Sequence, residues 1–160
     1  MRSCGECTEC CQGWLTDESL NLKPGSPCVN CTSEGCGIYE TRPEKPCRTF
    51  KCGWLTHTED FPDHMRPDKC GAIILLDRDW YSWKMVRAVP TGEVVPADTH
   101  QYLLDYAKAR QLPFSFIERT IIDGQYRERG EKAMGPPKFT AELKYRNEHD
   151  PVASDIFYTL

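Results

Sequence analysis

The sequence has little that would take the chain into a membrane. Its longest apolar run extends only from Ala72 to Leu76, which is far too short to span a bilayer. The N-terminal residues contain no apolar stretch that could serve as a secretory signal. We therefore expect a cytoplasmic protein with no membrane partner, in a compartment where thiols stay reduced.

The chain also lacks an excess of positive charge. The formal net charge is -4 at pH 7, and no block of lysine and arginine occurs anywhere along the chain. Proteins that bind nucleic acids in a general way are usually basic, because contacts with the phosphate backbone supply most of their affinity. We expect no nucleic-acid partner.

Cysteine, by contrast, is abundant. The chain has ten cysteines, and the segment from Cys4 to Cys52 holds all of them except Cys70. Reduced and clustered thiols indicate metal ligands before disulfides, although an even count also permits a disulfide framework. A Cys-x-x-Cys loop lets two sulfur atoms converge on one metal while backbone amides face the thiolates. The predicted metal ligands are Cys4, Cys7, Cys10, Cys11, Cys28, Cys31, Cys36, Cys47 and Cys52.

The spacing fits two kinds of metal centre. Two Cys-x-x-Cys loops can complete a tetrahedral zinc site with sulfur atoms at about 2.3 Å. Three cysteines at intervals of three also resemble the opening of a ferredoxin loop, which favours an iron–sulfur cluster, and Zn²⁺ is the alternative. Nine thiols allow two sites with one thiol spare, or one cluster with accessory thiols. The neighbours Cys10 and Cys11 are poorly suited to bind the same metal.

Several other residues near the cysteines have predicted roles. The cations among them would stabilise the site and lower thiol pKa values, or would simply form a solvated basic loop. These cations are Arg2, Arg42, Lys45, Arg48 and Lys51. We expect Cys70 to be a buried free thiol, outside the ligand set. We expect the histidines to be exposed to solvent rather than to bind a metal: His57, His64, His100 and His149.

The predicted fold class is α+β. Residues 1–70 would form a loop-rich, cysteine-cluster metal-binding module that ends in a polar connector over 56–69. Residues 71–160 would form a small antiparallel ββαββ sheet with one main helix, packed as one compact unit with the module. The predicted elements begin with strands at 72–76 and 83–89. A helix follows, with Asp98 as its N-cap and Gln101 completing a capping box. A hairpin of strands 114–122 and 125–129 around Asp123-Gly124 and a last helix at 138–147 complete the prediction.

Several blocks in order resemble a known family. The run Cys-x2-Cys-x2-Cys-Cys at 4–11 looks like the signature of the YkgJ-type cysteine-cluster proteins, which are described as zinc- or iron-chelating domains. The segment Gly-Cys-Gly-Ile-Tyr-Glu-Thr-Arg-Pro at 35–43 is similar to a second block of that family. Cys-Arg-x-Phe at 47–50, Cys-x-Trp-Leu at 52–55 and Arg-Pro-Asp at 66–68 continue the likeness. The resemblance covers about residues 4–70 and implies metal binding through the clustered cysteines.

Three functions compete on this basis. The first is a metal-binding protein with a chelating, redox or electron-transfer role. The second is a cluster-dependent protein-modifying enzyme, for which Glu40, His57 and Asp60 are candidates, or Tyr39 and Arg42 as lining of a reaction site. One branch of the family is linked to methylation of flagellin lysines, but the chain has no Gly-x-Gly-x-x-Gly loop to cradle a nucleotide-like methyl donor. The third is an interaction protein with structural zinc.

Overall fold

The computed structural model describes residues 2–76, 78–150 and 158–159, and it has the predicted α+β architecture. The α-helices are α1 (Gly53–Thr56), α2 (Pro67–Cys70), α3 (Ala97–Ala109) and α4 (Pro137–His149). The strands are β1 (Cys31–Thr32), β2 (Gly35–Cys36), β3 (Ala72–Leu75), β4 (Asp79–Trp80), β5 (Trp83–Lys84), β6 (Val86–Pro90), β7 (Phe114–Ile122), β8 (Gln125–Met134) and β9 (Tyr158–Thr159). No helix in the described ranges is long and apolar enough to cross a membrane.

The main sheet has five strands in the order β3-β6-β7-β8-β9 and is mixed. Strand β6 pairs with β7 in parallel, with Val86 opposite Phe114 and Ala88 opposite Phe116. The predicted antiparallel pairing therefore holds for β3 with β6 and for β7 with β8, whereas the five-stranded sheet as a whole is mixed. Helix α3 lies between these two strands in the chain. A helical crossover carries the chain back to the starting edge of the sheet, so that the second strand runs parallel to the first.

The hairpin of β7 and β8 confirms the predicted turn. Asp123 and Gly124 have φ values of 52° and 72°, as a type I′ turn requires. Strand β8 continues past the predicted end at residue 129, and its last residue, Met134, pairs with Phe114. The longer strand gives the buried first half of β7 a hydrogen-bonding partner.

The predicted strand over 83–89 is divided in two. Trp83 and Lys84 pair with β4 in a separate two-stranded ribbon, whereas β6 joins the main sheet. The ribbon is held by a small apolar cluster in which Trp80 and Trp83 each lie edge-on to Phe139 of helix α4. Packing against α4 therefore decides where the strand divides.

Helix α3 begins one residue before the predicted N-cap. Asp98 lies in its first turn, Pro96 occupies the cap position, and no side chain caps the helix. The predicted capping box is also wrong, because Gln101 donates its hydrogen bond to Asp105. A proline cap has no side-chain acceptor, so the backbone geometry of Pro96 starts this helix.

The segment predicted as a polar connector belongs to the core. Phe61 is 0% exposed and Met65 is 2% exposed, in the same cluster as the sheet residues Ile73 and Ile74. Tyr102 of α3 donates a hydrogen bond to the carbonyl oxygen of Asp60 and holds the segment in place. Periodicity did not reveal these residues, because isolated apolar side chains between short turns form no regular pattern.

One core extends from the cysteine-rich segment into the sheet. Trp14, Cys52 and Trp54 are buried in the same cluster as β3, β6 and the first half of β7. Arg119 is 2% exposed and donates hydrogen bonds to the carbonyl oxygen of Trp14 at 3.1 Å and to that of Pro90 at 2.6 Å. The cysteine-rich segment is thus fastened to the sheet by both apolar packing and a buried guanidinium group.

We expect Glu142→Gln to reduce stability in a pH-dependent way. Trp83 Nε1 donates to Glu142 Oε2 at 2.7 Å, and Arg146 pairs with Oε1 at 2.8 Å. These donors lower the pKa of Glu142 below its usual value of 4.5, so its contribution is present above that pH and is lost as the pH falls through the lowered pKa. The free energy of unfolding should drop by about 1 kcal/mol at neutral pH and by less under acid.

Denaturant titrations of both proteins at neutral pH and near pH ~3 measure this difference. Glu148→Gln is the matched control, because Glu148 is exposed on the same helix. A loss of equal size at both pH values would show that charge at Glu142 does not matter.

Candidate metal centre

Cys10 and Cys11 lie side by side in a 3-10 turn, Glu9–Gln12. The Cys11 N–H donates to the carbonyl oxygen of Thr8 at 2.7 Å, and Gly13 ends the turn in the left-handed region with φ 81°. A 3-10 helix has three residues per turn, so neighbouring side chains diverge by about 120°. The two cysteines therefore face different surroundings.

Cys10 faces the interior with three other thiols, which we call the inner thiol group: Cys4, Cys7, Cys10 and Cys52. Cys10 packs against the main core, and Cys52 is 4% exposed within it. Burial raises the pKa of Cys10 well above its usual value, and the negative charges of Cys52, Cys7 and Cys4 raise it further. These thiols are close enough to repel one another as thiolates.

Backbone N–H groups point at Cys7. Burial raises the pKa of Cys7 to about 11, whereas hydrogen bonds from the N–H groups of Glu9 and Asp68 lower it. Such donors stabilise the thiolate rather than the thiol and are typical of metal-bound cysteine.

Cys52 has the same kind of surroundings at the start of α1. Burial raises its pKa, and the N–H groups of Leu55 and Trp54 oppose that change. Trp54 is 5% exposed and lines the same cavity as Cys52, and its indole N–H has no acceptor within the described part of the chain. An anionic metal–thiolate centre would supply one.

Cys11 belongs to a second set, the outer thiol group: Cys11, Cys28, Cys31, Cys36 and Cys47. The Cys28 N–H donates to the carbonyl oxygen of Cys11 at 2.7 Å, and Cys31 pairs with Cys36 across the β1–β2 hairpin. Burial raises the pKa of Cys11 to about 12, and the charges of Cys31, Cys36, Cys28 and Cys47 contribute. This group is the less buried of the two.

Both groups open into one cavity of about 1000 Å³. The cysteines that line it are Cys4, Cys7, Cys10, Cys11, Cys28, Cys36, Cys47 and Cys52. Cys31 is not among them, and its sulfur accepts a hydrogen bond from Gln12 Nε2 at 3.8 Å. All ten cysteines are free thiols, so the structure does not adopt the disulfide alternative.

The cavity has the right kind of donor atoms for a metal, but its side chains are not arranged in a coordination geometry. Within the described ranges, no three side chains of histidine, cysteine, aspartate or glutamate converge closely enough to hold a metal ion. The soft sulfur donors, the N–H groups aimed at them and the orphan Trp54 indole suit zinc or an iron–sulfur cluster. Side-chain rotation within the cavity would have to complete the site.

The nearby cations fit the solvated basic loop better than a role in lowering thiol pKa values, since Lys45, Arg48 and Lys51 are exposed. Arg2, Arg42, Arg48 and Lys51 line the cavity, and Lys45 does not. Where thiol pKa values are shifted they rise, because burial and mutual repulsion outweigh positive charge; Arg42 opposes this only at Cys47. The cations are engaged elsewhere: Arg2, for example, donates to the carbonyl oxygen of Trp54.

Cys70 is the buried free thiol that the sequence predicted. Its sulfur donates to the carbonyl oxygens of Met65 and Ala72 at 3.4 and 3.3 Å. Burial raises its pKa to about 11. Cys70 does not line the cavity.

The histidines stay outside the cavity, as predicted, but one of them is not solvated. His57, His64 and His149 are exposed. His100 is half-buried, edge-on to Phe114 and Phe116, and burial lowers its pKa. Its prediction as a solvated residue is wrong.

The Ile-Tyr-Glu-x-Arg-Pro block forms a brace at the surface. Arg42 stacks on the ring of Tyr39 at 3.6 Å and donates to the Tyr39 carbonyl oxygen at 2.7 Å. Arg48 donates to the carbonyl oxygens of Glu40 and Arg42. Tyr39 is 44% exposed and Ile38 is half-buried, and both line the cavity.

Of the side chains proposed for an enzyme, Tyr39 and Arg42 line the cavity, whereas the acid–base candidates do not. Glu40, His57 and Asp60 are absent from its lining. Asp60 is paired with Arg110 and accepts a hydrogen bond from the Tyr106 hydroxyl at 3.3 Å. An enzyme that used these groups at the thiols would need a different arrangement.

Two contributions to this site could not be predicted from the sequence. The first is the N–H of Asp68, which faces Cys7, and the second is the anchorage of Trp14 by Arg119. Both join segments that are distant along the chain. No local signal could have identified them, since a backbone N–H carries no residue identity.

No protein-family model matches this chain, and neither curated proteins nor solved structures provide a match. The resemblance to YkgJ-type proteins therefore stays a prediction that rests on the residues quoted for it.

Proposed function

We propose that this protein is a metal-binding protein that holds an iron–sulfur cluster or zinc through clustered cysteine thiolates. The observation that carries the proposal is the lining of one cavity by eight cysteines, from both ends of the segment 4–52. Most clusters of free thiols at this density serve as metal ligands in reducing compartments such as the cytoplasm.

The surroundings of the thiols support the proposal. Burial raises the pKa values of Cys7, Cys10 and Cys11, and repulsion from neighbouring thiols adds to the rise at Cys10 and Cys11, so the thiolate forms are disfavoured without a cation beside them. A bound metal would remove this repulsion and displace the protons. The N–H groups that face Cys7 and Cys52 would then donate to metal-bound sulfur.

A bound metal would supply either redox chemistry, as an iron–sulfur cluster, or a rigid cross-link, as zinc. In both cases the chain's own residues would hold and shield it. A chelating, redox or electron-transfer role is favoured over catalysis, because the acid–base candidates of the sequence lie away from the thiols. Membership of the YkgJ-type family is part of the same proposal.

Metal analysis of protein purified without oxygen tests this function. We expect bound iron with matching inorganic sulfide and visible absorbance, or bound zinc without colour, in at least one equivalent per chain. The matched control is Cys70→Ser, which changes a cysteine outside the cavity and should leave the metal content unchanged. Protein that takes up neither metal after reconstitution, with all ten thiols reduced, would refute the proposal.

A further inference from the structure

We propose that the cavity holds two separate metal centres, one bound by the inner thiol group and the other by the outer thiol group, with no ligand in common. The inference rests on the proposed function and deepens it, because it divides the cysteines between sites. Cysteine spacing leaves that division open, whereas the folded chain restricts it.

The first argument is the 3-10 turn that carries Cys10 and Cys11. Side chains of neighbouring residues in such a turn point about 120° apart, so their sulfurs cannot readily meet at one ion. Cys10 packs into the main core, while the backbone of Cys11 receives the hydrogen bond from Cys28. The turn sends one thiol to each side of the cavity.

The second argument is what each side contains. On the inner side, Cys10 packs against the core cluster that contains Cys52, the N-cap residue of helix α1. The hydrogen bond from the Cys7 N–H to the Cys4 carbonyl oxygen, at 3.0 Å, folds the N-terminal loop back on itself. The inner side thus has four thiols, the number that fills a tetrahedral zinc site or the corners of one cluster.

The outer side is built on the β1–β2 hairpin. Its register puts Cys31 opposite Cys36, and the Cys31 N–H donates to the carbonyl oxygen of Cys28 at 2.9 Å. Cys47 lines the cavity with Cys28, Cys36 and Cys11. This side therefore has at least four thiols for a second centre.

The orphan indole of Trp54 points to a ligand on the inner side. Trp54 lies in α1, two positions after Cys52, and is almost fully buried. Its indole N–H nevertheless has no acceptor in the described ranges. A buried donor left unpaired costs about 1–3 kcal/mol, which a metal-bound sulfur would recover.

Zinc stoichiometry of cysteine variants tests the two-centre proposal. Reduced, metal-free full-length protein is equilibrated with Zn²⁺, freed of loose ions by gel filtration, and analysed for bound zinc. We expect about two equivalents for the unchanged chain, about one for Cys52→Ser and about one for Cys28→Ser. The double variant should bind none. Cys70→Ser is the control and should keep both equivalents.

A second variant for each group separates loss of a ligand from loss of the fold. Cys4→Ser, at the half-buried end of the chain, should lose the same single equivalent as Cys52→Ser, and Cys47→Ser should match Cys28→Ser. One equivalent in the unchanged chain, abolished by variants of either group, would overturn the two-centre proposal and leave the metal-binding function intact. No zinc in the unchanged chain would also overturn the two-centre proposal, and the metal-binding function would fall with it only if reconstitution with iron and sulfide failed as well.

Discussion

Replacement of Arg119 by methionine is expected to lower the free energy of unfolding by about 3 kcal/mol or more. The guanidinium group donates to the carbonyl oxygens of Trp14, Pro90 and Gly92, and Arg119 is 2% exposed. Methionine has a similar length but no donors, so these buried acceptors would lose their partner. The change should also loosen Trp14, only three positions after Cys11. Denaturant unfolding followed by tryptophan fluorescence measures both effects.

Arg127→Met is the matched control for this change. Arg127 is on the same hairpin, is exposed and bonds only the side-chain oxygen of Gln125, so we expect a loss of less than about 0.5 kcal/mol. Arg119→Lys should fall between the two, because an ammonium group cannot reproduce the planar fork of donors. If Arg119→Met were no more damaging than Arg127→Met, the anchoring role of Arg119 would be wrong.

The substitution Gly13→Ala should destabilise the chain by a comparable amount, about 3 kcal/mol. Gly13 has φ 81°, in a region that costs a residue with a β-carbon about 1–2 kcal/mol. The added carbon would also overlap the carbonyl oxygen of Lys23 and lie 2.7 Å from that of Ser26. Backbone atoms have no alternative rotamer, so the 3-10 turn with Cys10 and Cys11 would have to move. Thermal unfolding and bound-metal content are the two measurements.

Gly124→Ala is the control that measures the cost of positive φ alone, so that its difference from Gly13→Ala gives the steric part of the effect. Gly124 has a similar φ of 72°, but a β-carbon there would meet nothing within 4 Å. We expect a loss of about 1 kcal/mol for Gly124→Ala with no change in metal content. Equal losses for the two alanine variants would mean that the contact between Gly13 and the Lys23–Ser26 turn contributes nothing.

The elements that were predictable have strong local signals. The apolar run at β3, the exact limits of β7 and the type I′ turn at Asp123-Gly124 follow from β-branched residues and from a turn dipeptide that tolerates positive φ. The last helix, α4, was expected two residues too short at its C-terminus because helix ends carry weak signals. Local propensity also identified α3, although its cap was misplaced.

The elements that were missed depend on contacts between distant segments. Parallel pairing of β6 with β7 depends on α3, which connects the two strands and packs against both, and no periodicity in either strand encodes it. Phe61 and Met65 became core residues because α3 and the sheet cover them, although the surrounding sequence is polar. The ribbon of β4 and β5 likewise exists because Trp80 and Trp83 pack on Phe139.

The same distinction applies to the candidate site. The type and number of its donors follow from the cysteines alone, because thiol chemistry belongs to the residue and does not depend on its neighbours. Which thiols become neighbours was decided by the tertiary structure. Cys10 packs against the cluster that contains Cys52 only because α1 is buried against the sheet, and Cys11 meets Cys28 only through a backbone hydrogen bond across a loop. Such contacts arise from packing and loop closure over long stretches of chain, and spacing along the sequence does not specify them.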